Sequence, residues 1–365
     1  MRKTRNSAHA RDRKRISVNR TSGSRGILVP AYTTDHGAMF LGKCEDVLRD
    51  RSLIKDRGKV QLIFTSPPFV LNRKKKYGNL SGRSYVNWIA RLADILKEYV
   101  APNGSIVIEL GNAWEPGQPT MSTLAIEALL AFKRRGKFHL CQEFICFNPA
   151  RLPSPAQWVN VERCRVKDAF TRVWWLSPTP RPKADNRRVL VQYSDSMRSL
   201  LRRGTYNSGR RPSEHHIGDK SFLSDNGGAI PPNVLVPNPA DVAEQLANIL
   251  GPVNLLSIAN TGASDAYQEF CRKVGIQPHP ARMPYRLADF FIELLTDKGD
   301  LVLDPFGGSN TTGSAAEQLG RKWISIEANT EYILGSKARF PSLKRDNLLI
   351  TQATTKSDVE RRAVL

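Results

Sequence analysis

The strongest constraint on the fold is a set of short, unbroken apolar segments alternating with amphipathic helical stretches. Ala38–Leu41, Val60–Phe64, Ser105–Leu110, Leu301–Leu303 and Trp323–Ile326 read as strands. A strand that is apolar on successive residues has to be covered on both faces. Between these segments, Val86, Ile89, Leu92, Leu96 and Val100 share one face of a predicted helix over 84–100. Leu287, Phe290, Phe291, Leu294 and Leu295 have the i, i+3, i+4, i+7, i+8 spacing of another. The pattern predicts an α/β fold, a Rossmann-like parallel sheet with helices on both faces.

The alternation stops between about residues 148 and 265, where Pro, Arg, Ser and Asn dominate, and returns near 277. Charge follows the same break. The chain carries 55 Lys+Arg against 34 Asp+Glu, a formal +21. Residues 150–211 hold 14 Lys/Arg against four acids, and residues 1–26 hold nine against Asp12 alone. Removing that arm leaves +13. A surplus of this size points to a polyanion, most commonly a nucleic acid; the plain alternative is a basic enzyme with no anionic partner. The arm has almost no apolar residues and is predicted to be disordered. It reads as a DNA-tracking arm, a transit peptide or an extension from an upstream start codon. The chain therefore divides into a basic arm (1–29), a first α/β half (30–147), a basic insertion (148–265), a second α/β half (266–342) and a polar tail (343–365). The five scattered cysteines, with no Cys-x-x-Cys pair, fit reduced thiols and argue against a zinc site or disulfide framework, so no metal is expected. No apolar stretch approaches the roughly 20 residues that span a bilayer, and no signal-peptide core is visible. A cytoplasmic protein without a membrane partner is expected.

Two predicted loops follow strands, at the sheet edge where open α/β folds bind ligands. One is Asp304-Pro305-Phe306-Gly307-Gly308-Ser309-Asn310-Thr311-Thr312, between a strand and a helix. A Gly-rich turn lets a ligand approach the backbone, and the helix N-terminus offers free N–H groups. Glu327, 23 residues past Asp304, closes the next strand, where an acid hydrogen-bonds ribose hydroxyls. The Gly-Lys-Ser/Thr of a P-loop is missing, so ATP is not indicated. The plain alternative is a tight turn without a ligand. The other loop is Thr65-Ser66-Pro67-Pro68-Phe69. Two prolines fix the backbone and remove two N–H donors, leaving carbonyls and the Ser66 hydroxyl as acceptors beside a ring. That arrangement suits a planar base bearing an exocyclic NH₂. The alternative is a rigid turn with Phe69 in the core.

These two motifs resemble the catalytic and S-adenosylmethionine-binding motifs of amino-group DNA methyltransferases. Their order, catalytic first, resembles the permuted β class and its cytosine-N4 branch of restriction–modification enzymes. Leu152-Pro153-Ser154-Pro155, Arg165-Val166-Lys167-Asp168-Ala169, Val173-Trp174-Trp175-Leu176, Asp225-Asn226-Gly227-Gly228 and Lys322-Trp323-Ile324-Ser325 are similar to that branch as well. The resemblance covers most of 30–340 and implies a permuted methyltransferase sheet with a target-recognition region inserted at 148–265. It assigns Ser66, Pro67, Pro68 and Phe69 to the target base. It assigns Asp304, Phe306, Gly307, Gly308, Ser309, Thr311, Thr312 and Glu327 to S-adenosyl-L-methionine, with His279–Pro284 beside that site. It further implies double-stranded DNA with a flipped base, a bacterial or phage origin, a cognate restriction endonuclease as partner, and the palindrome CAGCTG methylated at its internal cytosine. Two residues depart from the pattern. Asn310 stands where the broad family has Gly, and Lys43 follows Gly42 where the family commonly has the Asp that helps hold adenine.

Ser before Pro-Pro favours cytosine N4, while adenine N6, served by the same fold, stays open. Methylation at cytosine C5 needs a thiolate, commonly in a Pro-Cys pair, and none of Cys44, Cys141, Cys146, Cys164 and Cys271 follows a proline. Glu109 is a candidate to assist Ser66 and equally a surface or capping carboxylate. Arg163, Arg165, Lys167 and Arg172, among Trp158, Phe170, Trp174 and Trp175, are the candidate DNA contacts; Trp174 and Trp175 read more readily as core. His215 and His216 read as DNA-facing or solvated. A reading from a different class is a DNA-binding protein that keeps the fold without catalysis.

Overall fold

The computed structural model describes residues 28–69, 80, 82–148, 151–206, 209–210, 212–214, 216–218, 222–236, 256–257 and 266–343. Residues 1–27 of the basic arm, His215 and all of the tail except Leu343 lie outside the described residues. In chain order the elements are β1 (Tyr32–Thr33), β2 (Gly37–Leu41), α1 (Cys44–Val47), β3 (Val60–Thr65), α2 (Gly82–Tyr99), β4 (Val100–Leu110), α3 (Leu124–Gly136), β5 (His139–Phe147) and β6 (Phe170–Ser177). There follow α4 (Asp195–Arg203), β7 (Gly209–Arg210), β8 (His216–Ile217), β9 (Val234–Val236), β10 (Leu256–Ser257), α5 (Ala266–Val274), α6 (Tyr285–Leu295), β11 (Leu301–Asp304), α7 (Thr311–Gln318), β12 (Lys322–Glu327) and α8 (Thr330–Ser336).

One sheet organises the molecule, in the order β1-β2-β12-β11-β3-β4-β6-β5-β9-β10; β7 and β8 form a separate pair. From β2 to β4 every pairing is parallel. The expected all-parallel sheet is modified by β6, which runs antiparallel between β4 and β5, and by the short antiparallel edge strand β1. β6 is contributed by the stretch 148–265, so part of that stretch belongs to the sheet.

The buried strands alternate between two cores. Ile63, Ile106, Ile108 and Leu303 face Ile89, Leu92 and Leu96 of α2. Leu62, Phe64, Val107 and Val302 face Phe290, Phe291, Leu294 and Leu295 of α6. Two-sided burial is why these segments read as unbroken apolar runs. Val100, assigned above to the helix, is instead the first residue of β4 and pairs with Val60. The Pro102–Gly104 segment is absorbed within that strand as a register shift between Val60 and Leu62, where a Cβ on Gly104 would lie 2.9 Å from the Val60 carbonyl. No helix among the described residues is long and apolar enough to cross a membrane.

The topology fixes where a ligand can go. β3 and β11 are parallel neighbours, with Val302 opposite Leu62 and Leu303 opposite Ile63. From β11 the chain passes through α7 to β12 on one side; from β3 it passes through α2 to β4 on the other. The β3–β11 boundary is therefore a topological switch point, and its C-terminal end opens into a crevice.

The far edge is held by tight aromatic packing. Trp323 is 1% exposed and stacks on Phe340 at 5.1 Å, and a Cβ at Gly37 would lie 2.2 Å from its indole. Gly37→Ala should destabilise the fold by about 1–3 kcal/mol through overpacking, read as a lower urea midpoint at unchanged slope.

Candidate active site

The crevice at the switch point is a cleft of about 460 Å³, within the usual range for small-molecule sites. Ser66, Pro67, Pro68 and Phe69 line one wall; Asp304, Phe306, Gly307, Gly308, Ser309, Thr311, Thr312 and Glu327 line the other. The two sequence motifs, 235 residues apart by their Phe69 and Asp304 ends, are thus brought into a single site.

Asp304 ties them together. Its carboxylate accepts from Thr65 Oγ1 at 3.0 Å, from the Phe306 N–H at 3.0 Å and from Thr312 Oγ1 at 2.7 Å. One buried side chain therefore joins the end of β3, the glycine loop and the first turn of α7. Burial pushes its pKa up to about 6, against the pull of those three donors.

The loop itself is shaped for a ligand. Gly308 has φ +51, and a Cβ there would sit 3.2 Å from the His279 ring. Asn310 also has positive φ, 55°, and caps α7 by accepting from the Gly313 N–H at 3.1 Å. It further accepts from Ser325 Oγ at 2.7 Å and donates to Tyr32 Oη at 2.9 Å. Asn tolerates left-handed backbone better than most side chains, which is how it replaces glycine here. Arg339 donates to the Ser309 carbonyl at 2.8 Å and so fixes the loop from behind. Glu327 accepts from the Gly308 N–H at 2.9 Å and the Asn329 N–H at 2.8 Å. Burial raises its pKa, and the backbone donors offset part of that. Each carboxylate oxygen has a second lone pair, so Glu327 keeps capacity for ribose hydroxyls.

On the other wall, Ser66 donates to Glu109. Glu109 is 8% exposed and also accepts from Thr171 Oγ1 at 3.1 Å. Burial holds Glu109 above the usual carboxylate range, opposed by Thr171, Ser66 and the Arg151 charge. The surface and capping readings of Glu109 are thereby set aside: it is buried and its partners are Thr171 and Ser66. Phe69 both lines the cleft and packs on Gly111, where a Cβ would meet its ring at 2.9 Å.

The cleft also contains residues that sequence reasoning did not single out. Trp88 sits edge-on to Phe306 at 5.6 Å and 5.8 Å from Tyr85, forming an aromatic corner. Glu45 accepts from Trp88 Nε1 at 2.6 Å and from Cys44 Sγ at 3.2 Å. Burial would raise its pKa, but the Trp88 and Cys44 donors and the Lys43 charge outweigh it and hold Glu45 below the ordinary value. The available signal was an acid two residues after Lys43 and a Trp on the inward side of α2.

The four candidate DNA contacts lie outside this cleft and differ among themselves. Arg163 and Lys167 are exposed. Arg165 is engaged within the protein, 3.7 Å from Asp168, donating to the Pro119 carbonyl at 3.0 Å and lying over the Trp114 ring. Arg172 is on β6, bound to Glu143 at 2.8 Å and over Phe170. Trp174 is buried, and Trp175 donates to Ser105 Oγ at 2.9 Å, so both serve the sheet. His216 is exposed on β8, and Trp158 is half-buried.

Residues 60–338 match the N6/N4 DNA methylase family, described as DNA methylase. The chain belongs to this family. It is similar to the type II methyltransferase M.PvuII of Proteus hauseri, 42% identical over 313 residues and covering 85% of each chain. Its fold is similar to a solved PvuII DNA methyltransferase, described as cytosine-N4-specific, with a TM-score of 0.65 and 35% identity, covering 89% of this chain and 94% of that one. It is 25% identical to the type II methyltransferase M.BamHI of Bacillus amyloliquefaciens, covering 88% of this chain and 61% of that protein. The expected α/β methyltransferase sheet is therefore the observed one. S-adenosylmethionine is the cofactor of this DNA methylase, and the residues present fit it: a glycine loop lining the cleft, an aromatic corner and an acid at the end of the next strand.

Because Asp304 binds its proton more tightly in the folded state, it makes the folded protein less stable as pH rises from about 4 through about 6. Asp304→Asn, which keeps an acceptor for Thr65 and Phe306, should remove that slope. Thermal melts across this range should show the stability difference, variant minus wild type, growing with pH by up to about 3 kcal/mol, since each tenfold gain in proton affinity is worth about 1.4 kcal/mol. A pH-independent difference would contradict the role given to this carboxyl.

Proposed function

We propose that this DNA methylase transfers a methyl group from S-adenosylmethionine to the exocyclic N4 of cytosine in a short palindromic duplex site, CAGCTG, as the modification half of a restriction–modification pair. The observation that carries the proposal is the convergence of Ser66, Pro67, Pro68 and Phe69 with the glycine loop in one cleft, with the buried Glu109 behind Ser66. The likeness to M.PvuII supports the choice of base and site.

An exocyclic amino nitrogen is a poor nucleophile because its lone pair is delocalised into the ring. Ser66 Oγ and the Pro67 carbonyl accept hydrogen bonds from the NH₂ and draw the nitrogen toward tetrahedral geometry. Phe69, held rigid on Gly111, stacks on the flipped base and fixes its approach, so positioning supplies much of the rate. When bound, S-adenosylmethionine supplies an electrophilic methyl group on sulfur. As the nitrogen becomes cationic, its proton passes to Ser66 Oγ while the Ser66 proton passes to Glu109, so the buried carboxylate ends neutral. On the cofactor side, Glu327 takes the ribose hydroxyls and the Gly307–Gly308 backbone admits the ligand closely. Glu45 supplies the carboxylate for the adenine amine that Lys43 does not, with Trp88 and Phe306 against the base. Arg163 and Lys167 contact DNA, while Arg165 and Arg172 shape the loop that presents them.

Nucleoside mass spectrometry of plasmid incubated with protein and S-adenosylmethionine should show N4-methylcytosine and protection from PvuII endonuclease. N6-methyladenine would change the assigned base, and DNA binding without methylation would overturn the enzyme reading. Ser66→Ala should keep DNA binding and lower transfer on the order of 100-fold or more; wild-type turnover would remove Ser66 from the mechanism.

A further inference from the structure

The segment 148–169 leaves β5 at Phe147 and re-enters the sheet at Phe170. Because β6 is antiparallel to β4, this loop stands at the edge that holds Ser66. It is firmly tied down. The Asn148 N–H donates to the Ala169 carbonyl at 2.6 Å and the Cys164 N–H to the Trp158 carbonyl at 2.9 Å, and Arg151 donates to the Phe170 carbonyl at 3.1 Å. Yet the loop exposes large aliphatic side chains, Leu152 at 82%, Val161 at 69% and Val166 at 87%. Large aliphatics exposed on a tethered loop are available to a partner. The surrounding stretch has a net charge of +10 over residues 150–211, which selects a polyanion over an apolar protein face.

Leu152 is the one connected to the chemistry. The preceding Arg151 is bound to Phe170, the next residue Thr171 donates to Glu109, and Glu109 accepts from Ser66. Pro153 follows and restricts the backbone at the other side. Extruding a base leaves a gap in the stack and costs a few kcal/mol of unstacking, and proteins that deform duplexes fill such gaps with Leu, Phe or Met. We propose that Leu152 enters the duplex as the target base leaves it, occupying the vacated space while Arg151 and Pro153 hold its backbone. This deepens the methyltransferase reading and rests on it.

The test uses the full chain with S-adenosylhomocysteine and CAGCTG duplexes carrying pyrrolocytosine at the target position, whose fluorescence rises on unstacking. Leu152→Ala should reduce that rise, and should reduce the single-turnover methylation rate on a paired cytosine duplex by roughly tenfold or more. Against a duplex whose target cytosine faces an abasic site, already unpaired, the variant should return to within about twofold of wild type. Leu130→Ala, an exposed aliphatic on α3, should match wild type throughout, and all three proteins should bind S-adenosylhomocysteine alike. Wild-type flipping and rate in Leu152→Ala, a deficit that persists on the abasic duplex, or an equal deficit in Leu130→Ala would each overturn the wedge. A wild-type protein that binds S-adenosylhomocysteine but flips and methylates no CAGCTG duplex would overturn the underlying reading of the site, and the wedge with it.

Discussion

The site depends on the parallel pairing of β3 with β11 and on the carboxyl that seals it. Backbone hydrogen bonds between the two strands put the ends of two distant sequence segments side by side, with Leu303 opposite Ile63. Just beyond that pair, Asp304 accepts from Thr65. Everything chemical begins there: Ser66 is the next residue on one strand, Pro305 and Phe306 the next on the other. The cost is a buried carboxyl, whose pKa is pushed to about 6. Three donors converge on it, which keeps that cost moderate and makes the relative placement of two half-sites a matter of a few bonds.

The same geometry explains why so much was legible in sequence. Segments buried on both faces must be apolar throughout, so β3, the second half of β4, β11 and β12 stand out without an alignment. Loops at strand ends that need glycine at positive φ, or proline without a donor, advertise themselves by residue type. Gly308 and the Pro67-Pro68 pair are such positions. The residues that escaped notice are those whose role depends on side-chain direction. Glu45 looks like an ordinary acid in a short helix until the Trp88 indole is seen bonded to it. Arg165 and Arg172 read as cations seeking an anion, and composition gives no sign that Asp168, Glu143 and two aromatic rings already occupy them. β6 was hidden for a different reason. It sits in a basic, proline-rich stretch, and only its pairing with β4 and β5 shows that Val173-Trp174-Trp175-Leu176 belongs to the sheet.

That placement of β6 has a functional consequence. An antiparallel strand beside β4 begins at the edge where the parallel strands end, so the loop preceding it meets the sheet at the edge that holds Ser66. Thr171, the second residue of β6, reaches Glu109 across the strand pair. The stretch that carries much of the positive charge and the strand that buttresses the proposed proton acceptor are therefore one continuous piece of chain. The proposed recognition stretch and the proposed reacting groups are thereby joined through Arg151, Phe170 and Thr171.

That a serine, and not a carboxylate, occupies position 66, the proposed partner of the target nitrogen, has an electrostatic rationale. A carboxylate placed at Ser66 would stand in a largely apolar cleft near Asp304 and Glu327, both already pushed upward by burial, and a third nearby charge would raise the cost of ionising any of them. Setting the acid one hydrogen bond back, at Glu109, separates it from that pair. Burial raises the Glu109 pKa, and its two hydroxyl donors, Ser66 and Thr171, with the Arg151 charge offset part of that, whereas Asp304, also raised by burial and relieved by its donors, has the Glu327 charge against it. In the proposed reaction the hydroxyl presents a neutral acceptor to the amine while remaining bonded to the carboxyl behind it. The arrangement divides acceptance of the hydrogen bond from final acceptance of the proton, and it does so with groups that the β3–β4–β6 pairing already holds in line.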